Sequence, residues 1–190
     1  IAKAYNFAQK AHEGQVRESG DPFFKHPAKV ALLLTGFELD DASICAGLLH
    51  DTLEDTNVSK EDLIVDFGVD VANLVDGVTK ISKMNYSSKE DCNMANTRKI
   101  ITGISEDIRI IIIKIADRLH NMRTLDFKSP KKQKENALET MEIFVPLANY
   151  IGTYRIKCEL EDLSFKYLYP DEYHKTEEYK SKLVEDNDEI

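Results

Sequence analysis

Residues 108–124 read IRIIIIKIADRLHNMRT, and the fold class turns on how this stretch is read. Ile110, Ile111, Ile112 and Ile113 in a row would suit a buried β-strand. The apolar period, however, continues through Ile115, Leu119 and Met122 at helical spacing, which a strand would not produce. The stretch is therefore read as a helix. At 100° per residue, Lys114, Asp117, Asn121 and Thr124 share one sector about 80° wide. Ile108, Ile112, Ile115, Leu119 and Met122 occupy the opposite face. A narrow polar stripe of mixed chemistry on an otherwise apolar helix favours a site over a solvated face.

The same periodicity runs through the rest of the chain. Gly and Pro are few, at eight and five, and alternating strand patterns are scarce. Ala4, Ala8 and Ala11 place a first helix that ends near Gly14. GQVRESGDPFFKHP is a loop punctuated by Gly20, Pro22 and Pro27, and Pro27 suits the first turn of a second helix through Leu34. Asp40 or Asp41 caps a third helix that runs into His50-Asp51. Ser59 and Asp62 form a capping box for a short helix stopping at Gly68, and another helix reaches about Val78. Residues 80–92 are polar and are read as a mobile connection. Helices follow over 93–105, 107–125, 131–151 and 154–168, one of them kinked or split by Pro146. The expected architecture is an all-α, multi-helix domain over residues 1–173, with an acidic connector over 174–190.

Bulk properties narrow the function. The 190 residues suit one domain, and 42% apolar with 31% charged residues is ordinary for a globular protein. No apolar run is long enough to span a membrane. The three cysteines, Cys45, Cys92 and Cys158, show no close pairing and read as reduced thiols of a cytoplasmic protein. Net charge is −9, but residues 159–190 carry −7 of it, from eleven acids and four lysines. The remaining body is nearly neutral, with no basic face for nucleic acid. A phosphorylated ligand would need a local cationic site, a metal, or both.

Three separated segments concentrate metal-type ligands: Lys25-His26-Pro27, Leu49 to Thr56 and Ala116 to Thr124. His26, the adjacent pair His50-Asp51 and the distant Asp117 make a mixed N/O set, suited to a borderline-to-hard divalent ion such as Mn²⁺, Mg²⁺ or Fe²⁺. A lone His-Asp dipeptide is common by chance and usually idle. Here Ala46-Gly47-Leu48-Leu49 leads apolar residues straight into it, and burying so much charge is costly without a cation. Glu54 and Asp55 follow His50 and Asp51 by four residues each, one helical turn on, where a carboxylate can handle the proton of an activated water. Asn121 and Thr124 would lie beside the metal, and His120, about 60° off the stripe, is read as supporting.

AHEGQVRESGDPFFKHP (11–27), GLLHDTLEDT (47–56), IRIIIIKIADRLHNMRTL (108–125) and GTYRIKCELEDL (152–163) together resemble the HD hydrolase domain of the RelA/SpoT homologue family, over residues 1–173. The resemblance implies an all-helical HD-domain fold with one Mn²⁺ held by His26, His50, Asp51 and Asp117. It implies hydrolysis of the bacterial alarmone (p)ppGpp to GDP or GTP plus pyrophosphate, with Glu54 and Asp55 as the catalytic acidic pair. Arg17 would pack near the guanine, with Ser19, Asn121 and Thr124 on the nucleoside side. It also implies a bacterial cytoplasmic enzyme with a covalently linked synthetase domain, the segment Lys157 to Leu163 pointing to the long bifunctional form. The pattern departs at Glu18, where a basic residue is usual, and at Ala95, where an acid is usual. The alternatives are an HD phosphohydrolase for other nucleotides and a nucleotide-sensing module without turnover.

Overall fold

The computed structural model describes residues 1–82 and 107–187. Among these the secondary structure is helical, apart from one isolated antiparallel bridge between Val16 and Pro22. The expectations for residues 83–106, including the helix over 93–105 and Ala95, lie outside the described residues. The chain divides into two compact units, Ile1–Phe127 and Lys128–Ile190.

The first unit contains α1 (Ala2–Ala11), α2 (Lys25–Thr35), α3 (Asp41–Leu49), the single turn α4 (Thr52–Asp55), α5 (Lys60–Phe67), α6 (Val69–Ser82) and α7 (Ile108–Arg123), then a 3₁₀ turn at Leu125–Phe127. Local chemistry sets most boundaries. Asp40 caps α3 by accepting from the Ser43 amide, and Ser59 and Asp62 form the reciprocal capping box of α5. Gly68, at φ 88°, ends α5 in a conformation that a side chain would resist. α6 runs to Ser82, four residues past the expected end.

The run of isoleucines is helical, as its period requires. The burial pattern differs from a simple two-faced helix. Ile111, Ile112 and Ile113 are all buried, because α7 packs against α2, α3 and α6 together. Ile108, assigned to the core by spacing, is 54% exposed at the open N-terminal end. Two glycines allow the close helix approaches. A Cβ on Gly47 of α3 would lie 2.4 Å from Leu34 Cδ1 and 3.5 Å from Ala31 Cα, and one on Gly77 of α6 would meet Ile110 Cδ1 at 2.3 Å.

Arg109 closes the N-terminal ends of α3, α6 and α7. It donates to Asp40 (2.7 Å), Asp70 (2.8 Å) and Asp107 (2.6 Å), and Asp107 also caps α7 through the Arg109 amide. Its proximity holds the Asp107 carboxyl below its ordinary range. Asp40 is also held low, chiefly by Ser43 and then by Arg109.

The second unit contains α8 (Pro130–Glu139), a π-helical turn (Thr140–Phe144), α9 (Val145–Ile151), α10 (Tyr154–Leu168) and α11 (Pro170–Asn187). The split within the expected helix 131–151 falls just before Pro146. Proline has no N–H for the regular i−4 bond and crowds that carbonyl, and the ladder widens so that the Val145 amide reaches the Thr140 carbonyl. Gly152, at φ 82°, then ends α9.

A candidate metal centre beside Arg17

Four side chains from three places in the first unit converge. His26 stands in the first turn of α2, and Asp117 two-thirds along α7. His50 and Asp51 fill the break between α3 and α4. Both keep helical backbone angles, and their side chains still reach one point. His26 Nε2 lies 3.1 Å from Asp117 Oδ1 and 3.5 Å from Asp51 Oδ2. His50 Nε2 lies 3.0 Å from Asp51 Oδ1 and 3.7 Å from Asp117 Oδ1. Ligands bonded to one ion at about 2.0–2.2 Å sit about 3–4 Å apart, which these separations match. His26, His50 and Asp117 are all at least nine-tenths buried, while the Asp51 side chain stays 19% exposed.

The hydrogen bonds around the imidazoles test whether a cation fits. The Gly47 carbonyl can only accept, so the His50 Nδ1 that faces it at 2.9 Å carries the proton. Neutral His50 therefore turns a bare Nε2 toward the carboxylates. That atom is buried and has no aligned hydrogen bond, although Asp51 Oδ1 is 3.0 Å away. Arg17 can only donate, and it lies 3.5 Å from His120 Nδ1. His120 Nδ1 is thus an acceptor, and the His26 Nδ1 facing it at 2.8 Å is the donor. His26 Nε2 is then bare as well. Two nitrogen lone pairs and two carboxylates around one point are mutually repulsive unless a cation joins them. Burial opposes a charge on His50, but Asp51 and Asp117 outweigh it and push the imidazole up to about 10. The donor set fits a divalent metal ion.

The surroundings bind this centre to two other groups. Lys114, a turn before Asp117, donates to Asp117 Oδ2 at 2.8 Å and to Ser82 Oγ at 2.7 Å. Burial alone would raise the Asp117 carboxyl; Lys114 and the two histidines hold it well below the usual range. Ser82 and Lys114 both favour the charged form of Glu54. Glu54 and Asp55 lie on α4, held over Asp51 by their amides, which donate to its carbonyl at 3.1 and 2.9 Å. Partial desolvation raises both carboxyls, and repulsion from Asp51 adds to it.

On the other side, Asn121 Nδ2 donates to Asp117 Oδ1 at 2.6 Å, while its Oδ1 accepts from Arg17 at 2.7 Å. Arg17 also lies over the Phe23 ring, 5.9 Å from its centroid. It is brought here by a tight hairpin in which the Arg17 amide bonds the Asp21 carbonyl and Gly20 turns at φ 80°. Burial, then His26 and Arg17, drive the His120 pKa down to about 4, so the ring is a neutral bridge between Arg17 and His26. Two expected residues stand apart from this ring of contacts. The Ser19 hydroxyl bonds Asp21 within its own turn, and the Thr124 hydroxyl caps α7 on the His120 and Asn121 carbonyls. Ser82, Gln15 and His12 join the surroundings without having been singled out. Ser82 lies beyond the expected end of its helix, and the other two flank a turn with no periodic signal.

An all-helical unit that gathers histidines and aspartates from separate helices around one cation-shaped point defines the class of HD metal-site domains. Residues 4–154 match the HD domain model, and the chain belongs to that family. The chain is 52% identical over 175 residues to a probable guanosine-3′,5′-bis(diphosphate) 3′-pyrophosphohydrolase of Synechocystis, covering 92% of this chain and 23% of that protein. It is 46% identical over 173 residues to the bifunctional (p)ppGpp synthase/hydrolase SpoT of Escherichia coli, covering 91% and 25%. A GTP pyrophosphokinase of Myxococcus xanthus is 49% identical, covering 98% and 26%. The chain thus spans about a quarter of the length of these relatives. A solved structure of a metazoan ortholog of SpoT, described as hydrolysing ppGpp and acting in starvation responses, superposes with a TM-score of 0.67 at 25% identity. That match covers 87% of this chain and 93% of the other. No described helix is long and apolar enough to cross a membrane.

Proposed function

We propose that this chain is a (p)ppGpp 3′-pyrophosphohydrolase domain whose cation is Mn²⁺, held by His26, His50, Asp51 and Asp117. The observation that carries the reading is the chain of contacts from Asp117 through Asn121 to Arg17, which couples a phosphate-directed cation site to a planar cation able to stack on a purine. When bound, the ion supplies positive charge for the phosphates and lowers the pKa of water.

The protein's own groups do the rest. Arg17, carried on the hairpin and packed on Phe23, presents its guanidinium to the guanine. Asn121 holds Arg17 and Asp117 at a fixed separation. Glu54 and Asp55, whose raised pKa values bring them closer to neutrality, accept the proton of the attacking water. The water oxygen bonds the phosphorus attached to the ribose 3′-oxygen, that P–O bond breaks, the proton held by the acidic pair passes to the departing 3′-oxygen, and pyrophosphate is released. Lys114 lies beside the reacting region as a fixed cation. Residues 1–173 would form the hydrolase domain and 174–190 a connector to a covalently linked synthetase domain in a bacterial cytoplasmic protein.

Incubation of the chain with ppGpp and Mn²⁺, with pyrophosphate measured directly, tests the reading. Pyrophosphate release that Asp51→Ala abolishes is expected. Tight ppGpp binding without release would make the chain a sensor instead, and preferential turnover of other nucleotides would make it a different phosphohydrolase.

A further inference from the structure

Asp55 is tied to the body of the unit by a contact from the far side of the site. Gln15 Nε2 donates to the Asp55 backbone carbonyl at 2.7 Å, and Gln15 Oε1 faces His12 Nδ1 at 2.8 Å. The order of donors is forced. A carbonyl only accepts, so the Gln15 amide hydrogens point at Asp55 and its oxygen points at His12. His12 must then donate from Nδ1. His12 is 2% exposed and stacks on Phe23 at 4.7 Å; its Nε2 is buried without a partner. The local chain builds this arrangement. α1 ends at His12, Gly14 turns at φ 78°, and the Gln15 amide returns to the His12 carbonyl at 3.1 Å. α4 is only one turn long, with Thr56 extended after it, so its own ladder constrains Asp55 weakly.

We infer that His12 and Gln15 are positioning residues for Asp55, His12 acting solely as an Nδ1–H donor that orients the Gln15 amide onto the Asp55 backbone. The inference rests on the reading of Asp55 as a proton acceptor. Its orphan Nε2 gives His12 no relay role, although a buried histidine near a carboxylate pair invites one. The arrangement also separates the two acids. Gln15 reaches the backbone carbonyl of Asp55, not that of Glu54.

Asparagine places an amide nitrogen where histidine has Nδ1, and glutamine places one where it has Nε2. In the Mn²⁺-loaded chain, His12→Asn is expected to keep kcat within about threefold of the parent. His12→Gln and Gln15→Leu should lower kcat by about 10- to 100-fold with KM little changed, the range that an ångström of misplacement costs. Any other ordering of the two His12 variants overturns the inference. Since a core variant can misfold, the parent protein supplies a second measurement. ¹⁵N NMR of its histidines should find a proton on His12 Nδ1, and a bare Nδ1 overturns the inference even if kinetics agree. If the parent releases no pyrophosphate, the functional reading has failed, and the NMR result still decides the His12–Gln15 contact by itself.

Discussion

Asn121→Ala severs the link from Asp117 to Arg17 while leaving the one through His120, and its consequences can be worked from the geometry. The Asn121 bond to Asp117 is 2.6 Å long, and the Asp117 side chain is 7% exposed. A hydrogen bond to a charged, buried partner is worth about 1.5–3 kcal/mol, or about 10- to 150-fold. Losing one outer partner of a metal ligand costs a similar factor of about 10–100 in metal affinity. The bond to Arg17, at 2.7 Å, is on the open side, and about 0.5–1.5 kcal/mol is appropriate there. Combined, kcat/KM should fall about 30- to 2,000-fold, with Mn²⁺ affinity accounting for most of the loss and KM for nucleotide for the rest. Titration of Mn²⁺ by electron paramagnetic resonance reads the first part, and pyrophosphate release at saturating Mn²⁺ reads the second. Asn121→Asp keeps an acceptor for Arg17 but sets a second carboxylate against Asp117, so its KM should stay nearer the parent while Mn²⁺ binding falls further. An Asn121→Ala protein within threefold of the parent in both measurements would refute the argument.

Other perturbations are equally direct. Asp117→Ala should abolish detectable Mn²⁺ binding, and with it the rise in Tm that Mn²⁺ gives the parent, a rise equivalent to about 2.7 kcal/mol at a hundredfold excess over Kd; an unchanged Mn²⁺-dependent rise would remove Asp117 from the ligand set. Gly47→Ala should destabilise the fold by about 1–3 kcal/mol in denaturant titrations, because Leu34 is fully buried and cannot swing clear; it should also weaken Mn²⁺ binding, since α3 carries His50 away from His26. Arg109→Met should cost about 1–2 kcal/mol, a figure discounted because Asp40 and Asp70 are 52% and 60% exposed, and 1 M salt should shrink the difference. The sign of its pH dependence follows from Asp40 and Asp107, whose folded pKa values lie below the ordinary 3.8. The stabilisation is complete above that value and disappears as the pH falls through the depressed ones. Parent and variant melts should therefore converge in acid, and a gap that widens below pH 4 would contradict this.

How far the sequence could be read depended on whether the governing interaction was local. The capping residues Asp40 and Ser59, the stop at Gly68 and the helical period of residues 108–123 act within a turn or two of the chain, and they appear in the structure where they were expected. The candidate ligands were recognisable because four charged or imidazole groups sat in apolar surroundings, an arrangement that is expensive without a purpose. Ile108 was misassigned because spacing identifies a face but not where the neighbouring helices end. Contacts that depend on tertiary approach left no trace in the pattern. Arg17 and Asn121 are 104 positions apart, and Gln15 and Asp55 are 40 apart. Ser19 and Thr124 show the converse: residues carried over by motif whose hydroxyls are occupied by their own turn and helix end.

The Asp117–Asn121–Arg17 bridge has a thermodynamic consequence. An occupant of the cation site and a ligand held by Arg17 act on the same amide, one through its nitrogen and the other through its oxygen. Their binding free energies therefore share a coupling term, and that term is reciprocal. Whatever factor the ion contributes to nucleotide affinity, the nucleotide must return to the ion. Where that term is favourable, a ligand on Arg17 would slow the ion's release, and an empty Arg17 side would let the ion go more readily.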